Sequence, residues 1–234
     1  MLYRIADLFT EIPEEGGIAS LCEEYKTSEE ASPDIIIRAE RYRYDIWPTL
    51  SAENVAYMES GVQFAFKLLR HGGIYLHASA IEVDGYAYLF SGPSGVGKST
   101  HTGLWQSILP HACIINDDKP ALRRLDGTWY AYGTPWSGKH HINKNKKAKL
   151  AGICFLARGR ENSIRRLEEA EAVSRLVHGT MHGLPGELSL DRMLSCVESL
   201  VTDIPIYELR ALPDEAAARM SYETMRRGAE EKTL

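Results

Sequence analysis

Apolar residues along this chain fall into short runs separated by glycine, proline and acidic turns, and only a few stretches keep a helical period. Over residues 52–70, Val55, Met58, Val62, Phe66 and Leu69 recur at the spacing of one helix face, and Ser51 is placed to cap its start. His71-Gly72-Gly73 ends that helix. Two apolar runs follow, 74–83 and 86–91, joined by Asp84-Gly85, a dipeptide favoured in two-residue hairpins. The pattern then predicts a helix over 98–108, stopped by Pro110, a buried strand over 112–115, and a second hairpin of 121–125 with 128–132 around Asp126-Gly127. Residues 133–138 read as a flexible loop and 150–157 as a strand. Helices at 168–178 and 190–201, a strand at 205–210 and a helix from Pro213 or Asp214 complete the series, with about the last six residues frayed. Ahead of it all, residues 1–50 mix short β-like runs, Leu2 to Ile5 and Ile35 to Ile37, with acidic loops, Pro13 and Pro33. The expectation is an α/β chain with a small, mostly β lobe at 1–50 and the main domain at 51–234.

With 234 residues there is enough chain to bury a full core. The net charge of −5 is concentrated at the start, where residues 1–34 hold nine acids against Arg4 and Lys26. An acidic balance argues against a nucleic-acid partner, which requires a basic face. Cys22, Cys113, Cys154 and Cys196 lie far apart with no C-x-x-C pairing, as expected of thiols in a reducing cytosol. No run approaches the roughly 18 apolar residues of a membrane span, and the first residues lack a basic start. A soluble, cytoplasmic protein without a membrane partner is expected; homo-oligomerisation is left open.

The most specific signal is Gly92-Pro93-Ser94-Gly95-Val96-Gly97-Lys98-Ser99, a complete G-x-x-x-x-G-K-[ST] sequence directly behind an apolar run. Such a loop wraps phosphates with its backbone N–H groups, which needs dihedrals and a close approach that a Cβ would obstruct. Gly92, Ser94, Gly95, Val96, Gly97, Lys98, Ser99 and Thr100 are therefore the predicted nucleotide-binding residues. Lys98 reaches the β and γ phosphates of a nucleoside triphosphate, and the Ser99 hydroxyl is offered to Mg²⁺. Asp117-Asp118 comes 19 residues after Lys98, behind an apolar strand. One aspartate of such a pair can hold the metal and the other can take a proton from an incoming hydroxyl; the competing reading is a solvated turn. Residues 139–149 carry five lysines and two histidines without an acid. This stretch is either a solvated face or a lid whose lysines, Lys139 and Lys144 among them, receive phosphate or an anionic substrate. His71, His101, His111, His140, His141, His178 and His182 carry no specific signal.

His77-Ala78, the hairpin glycine Gly85, the loop 92–99 and Asn116-Asp117-Asp118-Lys119 together resemble the catalytic core of the HPr kinase/phosphorylase family. They resemble more distantly the nucleotide site of ATP-dependent phosphoenolpyruvate carboxykinase. The segment 133–139 is similar to that of HPr-kinase-related proteins. The resemblance covers 74 to about 125 well and the rest loosely. It implies a P-loop kinase core with a mixed β-sheet and flanking helices, ATP and Mg²⁺ as cofactors, Asp117 as the catalytic aspartate, Asp118 as its metal-associated partner, and His77 near the transferred phosphate. Two departures stand out. Thr100 occupies a position where the family's kinases carry glutamate and the carboxykinases threonine, and the family's carboxy-terminal signature for its protein substrate is not recognisable.

The resulting expectation is an ATP- and Mg²⁺-dependent kinase that transfers the γ-phosphoryl group to a hydroxyl of a peptide, protein or small metabolite. The alternatives are a nucleotide-gated regulatory binding protein without phosphoryl transfer, and a carboxykinase-like enzyme. A GTPase or DNA-associated ATPase is disfavoured by the lack of an N-K-x-D motif and by the acidic balance.

Overall fold

A computed structural model describes residues 1–14, 18–180 and 187–231. The chain opens with β1 (Leu2–Ile5) and β2 (Leu8–Glu11), then the short α1 (Ile18–Leu21) and β3 (Ile35–Ile36), and these strands form a small separate sheet in the order β1-β2-β3. The turn between β1 and β2 puts both Ala6 and Asp7 at positive φ, 53° and 58°. That is hairpin geometry without the glycine that usually marks it, which is why β2 is not apparent in the sequence. Tertiary contacts hold the turn. Arg123 Nη1 donates to Ala6 O at 2.6 Å, and Asp7 Oδ2 receives Tyr132 Oη at 2.9 Å and Lys147 Nζ at 2.7 Å.

Helix α2 (Ala52–Leu68) begins where expected, with Ser51 Oγ accepting from Asn54 N at 3.2 Å. Its buried face is rotated from the expected one: Val55, Ala56, Ser60, Gly61, Phe64, Ala65 and Leu68 are buried, while Met58, Val62 and Phe66 are half-buried. The reason is Trp136, fully buried against the gap left by Gly61, with its Nε1 donating to Ser60 Oγ at 3.0 Å. Sequence periodicity scores large apolar residues and passes over the two small ones that admit the indole.

The main sheet has nine strands among the described residues. The apolar run 74–83 is two strands, β4 (Gly73–Tyr75) and β5 (Ala78–Val83), which part at Leu76-His77 because β4 pairs with β8 (Ala121–Leu125) and β5 with β6 (Tyr86–Ser91) and β7 (Cys113–Asn116). Both Asp-Gly hairpins form as expected, with Asp84 and Gly85, and Asp126 and Gly127, all at positive φ; the second joins β8 to β9 (Thr128–Tyr132). The strand expected at 150–157 is longer: β10 runs Lys147–Arg158, antiparallel to β9 at its start and parallel to β6 and β12 (Ile206–Ala211) farther on. Lys147 and Lys149 therefore lie in a strand and not in a loop. The edge strand β11 (Ser163–Arg166), mostly exposed and half arginine, shows no sequence signal.

Helices α3 (Lys98–Ile108) and α6 (Glu215–Glu231) cover one face of this sheet, burying Trp105, Ala218 and Met225 with Ile81, Phe90 and Leu209. On the other face, α4 (Glu169–Gly179) and α5 (Glu187–Asp203) bury Leu176, Val197 and Leu200 with Leu89 and Ile153. A third core joins the small sheet to α2. The mixed sheet, flanking helices and small amino-terminal sheet match the expected α/β class. Of the frayed end expected from the sequence, α6 continues to Glu231, and 232–234 lie outside the described residues.

Gly61 yields a test in which two effects oppose each other. Alanine in a helix interior normally gains about 1 kcal/mol over glycine. A Cβ at Gly61, however, would lie 2.8 Å from Trp136 Cδ1. Overpacking of this kind costs about 1–3 kcal/mol, so Gly61→Ala should lower the urea midpoint. A raised midpoint would show that the indole repacks freely.

Candidate functional site

Strands β6, β10 and β12 are parallel, whereas β5 is antiparallel to both β6 and β7. The carboxyl ends of β6, β7, β10 and β12 and the start of β5 consequently gather at one end of the sheet, which is where open α/β sheets hold ligands. Along that end lie Ser91 and the glycine loop, His77, Asp117-Asp118, Arg158 and Leu212.

The loop 92–97 has Gly92, Gly95 and Gly97 at φ of 142°, 75° and 113°, conformations that side-chain-bearing residues rarely adopt. A Cβ on Gly92 would also sit 3.0 Å from Leu156 O, whereas one on Gly95 or Gly97 would meet nothing within 4 Å. Helix α3 then starts at Lys98 with Gly97 as N-cap, no side-chain cap and no acid in its first turn. An uncapped helix start beside an open loop is an anion seat. Lys98, 8% exposed, donates to Gly92 O at 3.0 Å and Pro93 O at 3.3 Å. Burial pulls its pKa down, while the charges of Asp118 and Asp117 oppose the fall. Ser94, Ser99 and Thr100 are exposed, and Val96 packs partly against the α3 core.

Asn116 builds the aspartate pair, a role that its place in the sequence does not reveal. Fully buried, it accepts at Oδ1 from Asp118 N (2.9 Å) and Lys119 N (2.7 Å), and its Nδ2 donates to Thr134 O at 3.0 Å. The one signal is its type: asparagine readily forms such a turn at a strand end. Asp118 Oδ1 lies 3.3 Å from His77 Nε2, and its Oδ2 lies 2.9 Å from Lys119 Nζ. Burial raises the Asp118 pKa, but His77 and Lys119 outweigh it and the carboxyl ends below its ordinary value. Asp117 differs: its Oδ1 is buried with no partner among the described residues.

Residues 133–143 close over this pair. Gly133 to Ser137 are buried and do not form an open loop. Ile142 O accepts from Asp117 N at 3.1 Å, Tyr57 Oη accepts from Gly138 N at 3.0 Å, and a Cβ on Gly138 would approach Asp118 Cβ to 3.1 Å. Lys139 thus emerges beside Asp118, and Lys144 is tied through its N–H to Ile115 O at 3.0 Å; both side chains are exposed. The lysine cluster is not without acids once folded. Lys146 pairs with Glu82 at 2.5 Å and Lys147 with Asp7 at 2.7 Å.

Two clefts flank the loop. One, of 460 Å³, lies beside His77, Ser91 and Gly92 and reaches Arg175 and His178 on α4. The other, of 440 Å³, runs from Gly95–Gly97 past His101 and Leu104 to Leu156, Arg158 and Leu212. Arg158 Nη2 donates to Gly95 O at 3.1 Å.

No group of three His, Cys, Asp or Glu that could cage a metal occurs among the described residues. Mg²⁺ needs only one or two carboxylates together with phosphate oxygens and water. Asp118, an ionised carboxylate at the same end of the sheet as the loop, fits that donor set, and the buried oxygen of Asp117 beside it is left for another donor.

No protein-family model matches the chain, and no curated protein does. Among solved structures it is similar to the Hpr(Ser) kinase/phosphatase from Coxiella burnetii, with a TM-score of 0.39 and 11% identity over 68% of this chain and 97% of that one. No helix is long and apolar enough to cross a membrane among the described residues.

Because the folded pKa of Asp118 is depressed, its ion pairs add stability that is fully present above the unfolded value near 3.8 and is lost as pH falls through the lower folded value. The difference in unfolding free energy between the wild type and Asp118→Asn should therefore shrink as pH falls through 3.8 toward the lower folded value. A difference that does not change with pH would mean that the pairs with His77 and Lys119 do not hold in solution.

Proposed function

We propose that this chain is an ATP- and Mg²⁺-dependent kinase on a P-loop core of the HPr kinase type, transferring the γ-phosphoryl group to a hydroxyl acceptor. The observation that carries the reading is the unpartnered, buried Asp117 Oδ1 on the same strand-end row as Lys98 and the glycine loop. A buried carboxylate oxygen without a donor is costly, by about 1–3 kcal/mol or more. An acceptor hydroxyl that donates to it removes that cost at the place where phosphoryl transfer needs a base.

The loop amides and the start of α3 hold the phosphates, and Lys98 leaves the carbonyls of Gly92 and Pro93 to meet them. Asp117 orients the acceptor hydroxyl and takes its proton as the new O–P bond forms and the bond from γ-phosphorus to the β,γ-bridging oxygen breaks, leaving ADP. Asp118, kept ionised by His77 and Lys119, is the metal ligand together with Ser99. Mg²⁺ bound there supplies positive charge to the phosphate oxygens. The cleft beside His77 admits the acceptor, a serine of a peptide or protein or the hydroxyl of a metabolite, and Lys139 and Lys144 attract its charge. The described cysteines are all free thiols, in keeping with action in a reducing cytoplasm.

Lys98→Ala should weaken triphosphate binding about tenfold or more, the effect of one lost charge-assisted contact, with native circular dichroism retained. Asp117→Asn should abolish transfer of labelled γ-phosphate to acceptors in a cell extract while calorimetric ATP affinity changes only a few-fold. Normal turnover by Asp117→Asn would reduce the pair to a structural turn.

A further inference from the structure

A cleft of 500 Å³ lies away from the glycine loop, between the start of β6 and the last turns of α6. Two periodicities build its walls. Tyr86 and Tyr88 are two positions apart on β6 and share one face of the sheet. Tyr222, Arg226 and Glu230, spaced by four, form one stripe of α6, the helix packed on that face. The rings of Tyr88 and Tyr222 stand at 72° with centroids 6.4 Å apart, two walls of one corner, and Tyr86 is exposed beside them. Tyr88 is only 3% exposed, yet its hydroxyl has no hydrogen-bond partner among the described residues. Folded proteins seldom leave such a group unpaired unless something else completes it. The charges of the cleft are unbalanced as well. Among the described residues, Arg226 is committed to Glu230 at 3.3 Å and stacks on none of the three rings, and the exposed Asp84, in the hairpin turn, has no cation paired with it. Two carboxylates against one guanidinium leave the lining with one negative charge.

We propose that this cleft binds a small organic ammonium, its charged nitrogen seated in the tyrosine corner and facing Asp84, with Tyr88 Oη accepting one of its N–H groups. The site is independent of the nucleotide reading, because Tyr86 and the glycine loop lie at opposite ends of β6. Three physical effects select this class of ligand. The faces of tyrosine rings are electron-rich and attract a cation. The carboxylate of Asp84 supplies the opposite charge. An N–H donor completes the Tyr88 hydroxyl, which a hydrocarbon group leaves unpaired. An anionic ligand would instead meet an arginine already paired and a carboxylate that repels it. The volume suits a small molecule, whose sites span about 300–1,000 Å³.

The test titrates the full chain with three probes of similar shape, followed by ligand-observed NMR: phenethylammonium, the neutral phenethyl alcohol and the anionic hydrocinnamate. The ammonium should bind about tenfold or more tightly than the alcohol, the effect of one charge-assisted contact, and the carboxylate should bind most weakly. Asp84→Asn removes the charge at an exposed turn position whose positive φ asparagine also adopts, so the fold should be kept. In that variant the ammonium affinity should fall several-fold toward that of the alcohol, which should hardly change. Tyr88→Phe keeps the ring and removes the hydroxyl, and it should weaken the ammonium and the alcohol together, since both offer it a donor. Failure of the ammonium to bind, equal binding of ammonium and alcohol, a preference for the carboxylate, or a ratio unmoved by Asp84→Asn would overturn the proposal.

Discussion

The parallel ladder between β6 and β10 sets the position of everything at the candidate site. Its register runs from Lys149 opposite Tyr86 to Phe155 opposite Ser91, so β6 ends while β10 continues to Arg158, and the glycine loop leaves β6 directly against the residues that follow Phe155. The approach is close enough that a Cβ on Gly92 would be 3.0 Å from Leu156 O. A slip by one residue would turn every β10 side chain to the opposite face and move both cores at once, since Ile153 and Phe155 serve one and Cys154 and Leu156 the other. Burial on both faces is thus what keeps the glycine loop in place.

Around this frame, buried charge is used in two different ways. Glu208, 3% exposed, is surrounded by Arg165, Arg175 and Arg210, with its closest contact at 2.9 Å, and Glu82 is held by Lys146 and by the hairpin amide of Gly85. These groups are satisfied, and they tie the edge strand, α4 and the lysine-rich segment to the sheet. Asp117 is the exception, a carboxylate oxygen left without a donor although Asn116, Asp118 and Lys119 around it are fully engaged. Folded proteins leave buried polar atoms unpaired mainly where a ligand completes them. Tyr42 Oη, Tyr75 Oη and Trp129 Nε1 are also buried without a partner, and Asp117 Oδ1 is the carboxylate oxygen among the four, at the end of the sheet where the glycine loop lies.

His101 and Lys98 sit three residues apart on one helix, and burial lowers the pKa of both. The outcomes differ because their neighbours differ. Lys98 has two carboxylates nearby that oppose the fall, whereas His101 has an aromatic ring and a serine hydroxyl beside it, and burial alone sets its direction.

What the sequence determined by itself was local. The glycine loop, both Asp-Gly hairpins, the cap at Ser51 and the helices at 98–108 and 168–178 depend on residues within a few positions of one another, and local dihedral and periodicity rules suffice to read them. The tertiary structure decided what depends on distant partners. It split 74–83 into two strands by giving each a different neighbour, seated Trp136 against Gly61, supplied Glu82 and Asp7 to lysines that have no acid near them in sequence, and turned Asn116 into the organiser of the aspartate pair. Even the hydrogen bond of His101 is made to Ser221, 120 positions away along the chain. Hydrogen bonding and burial act through space, and a linear pattern records only the residues that local backbone geometry brings together.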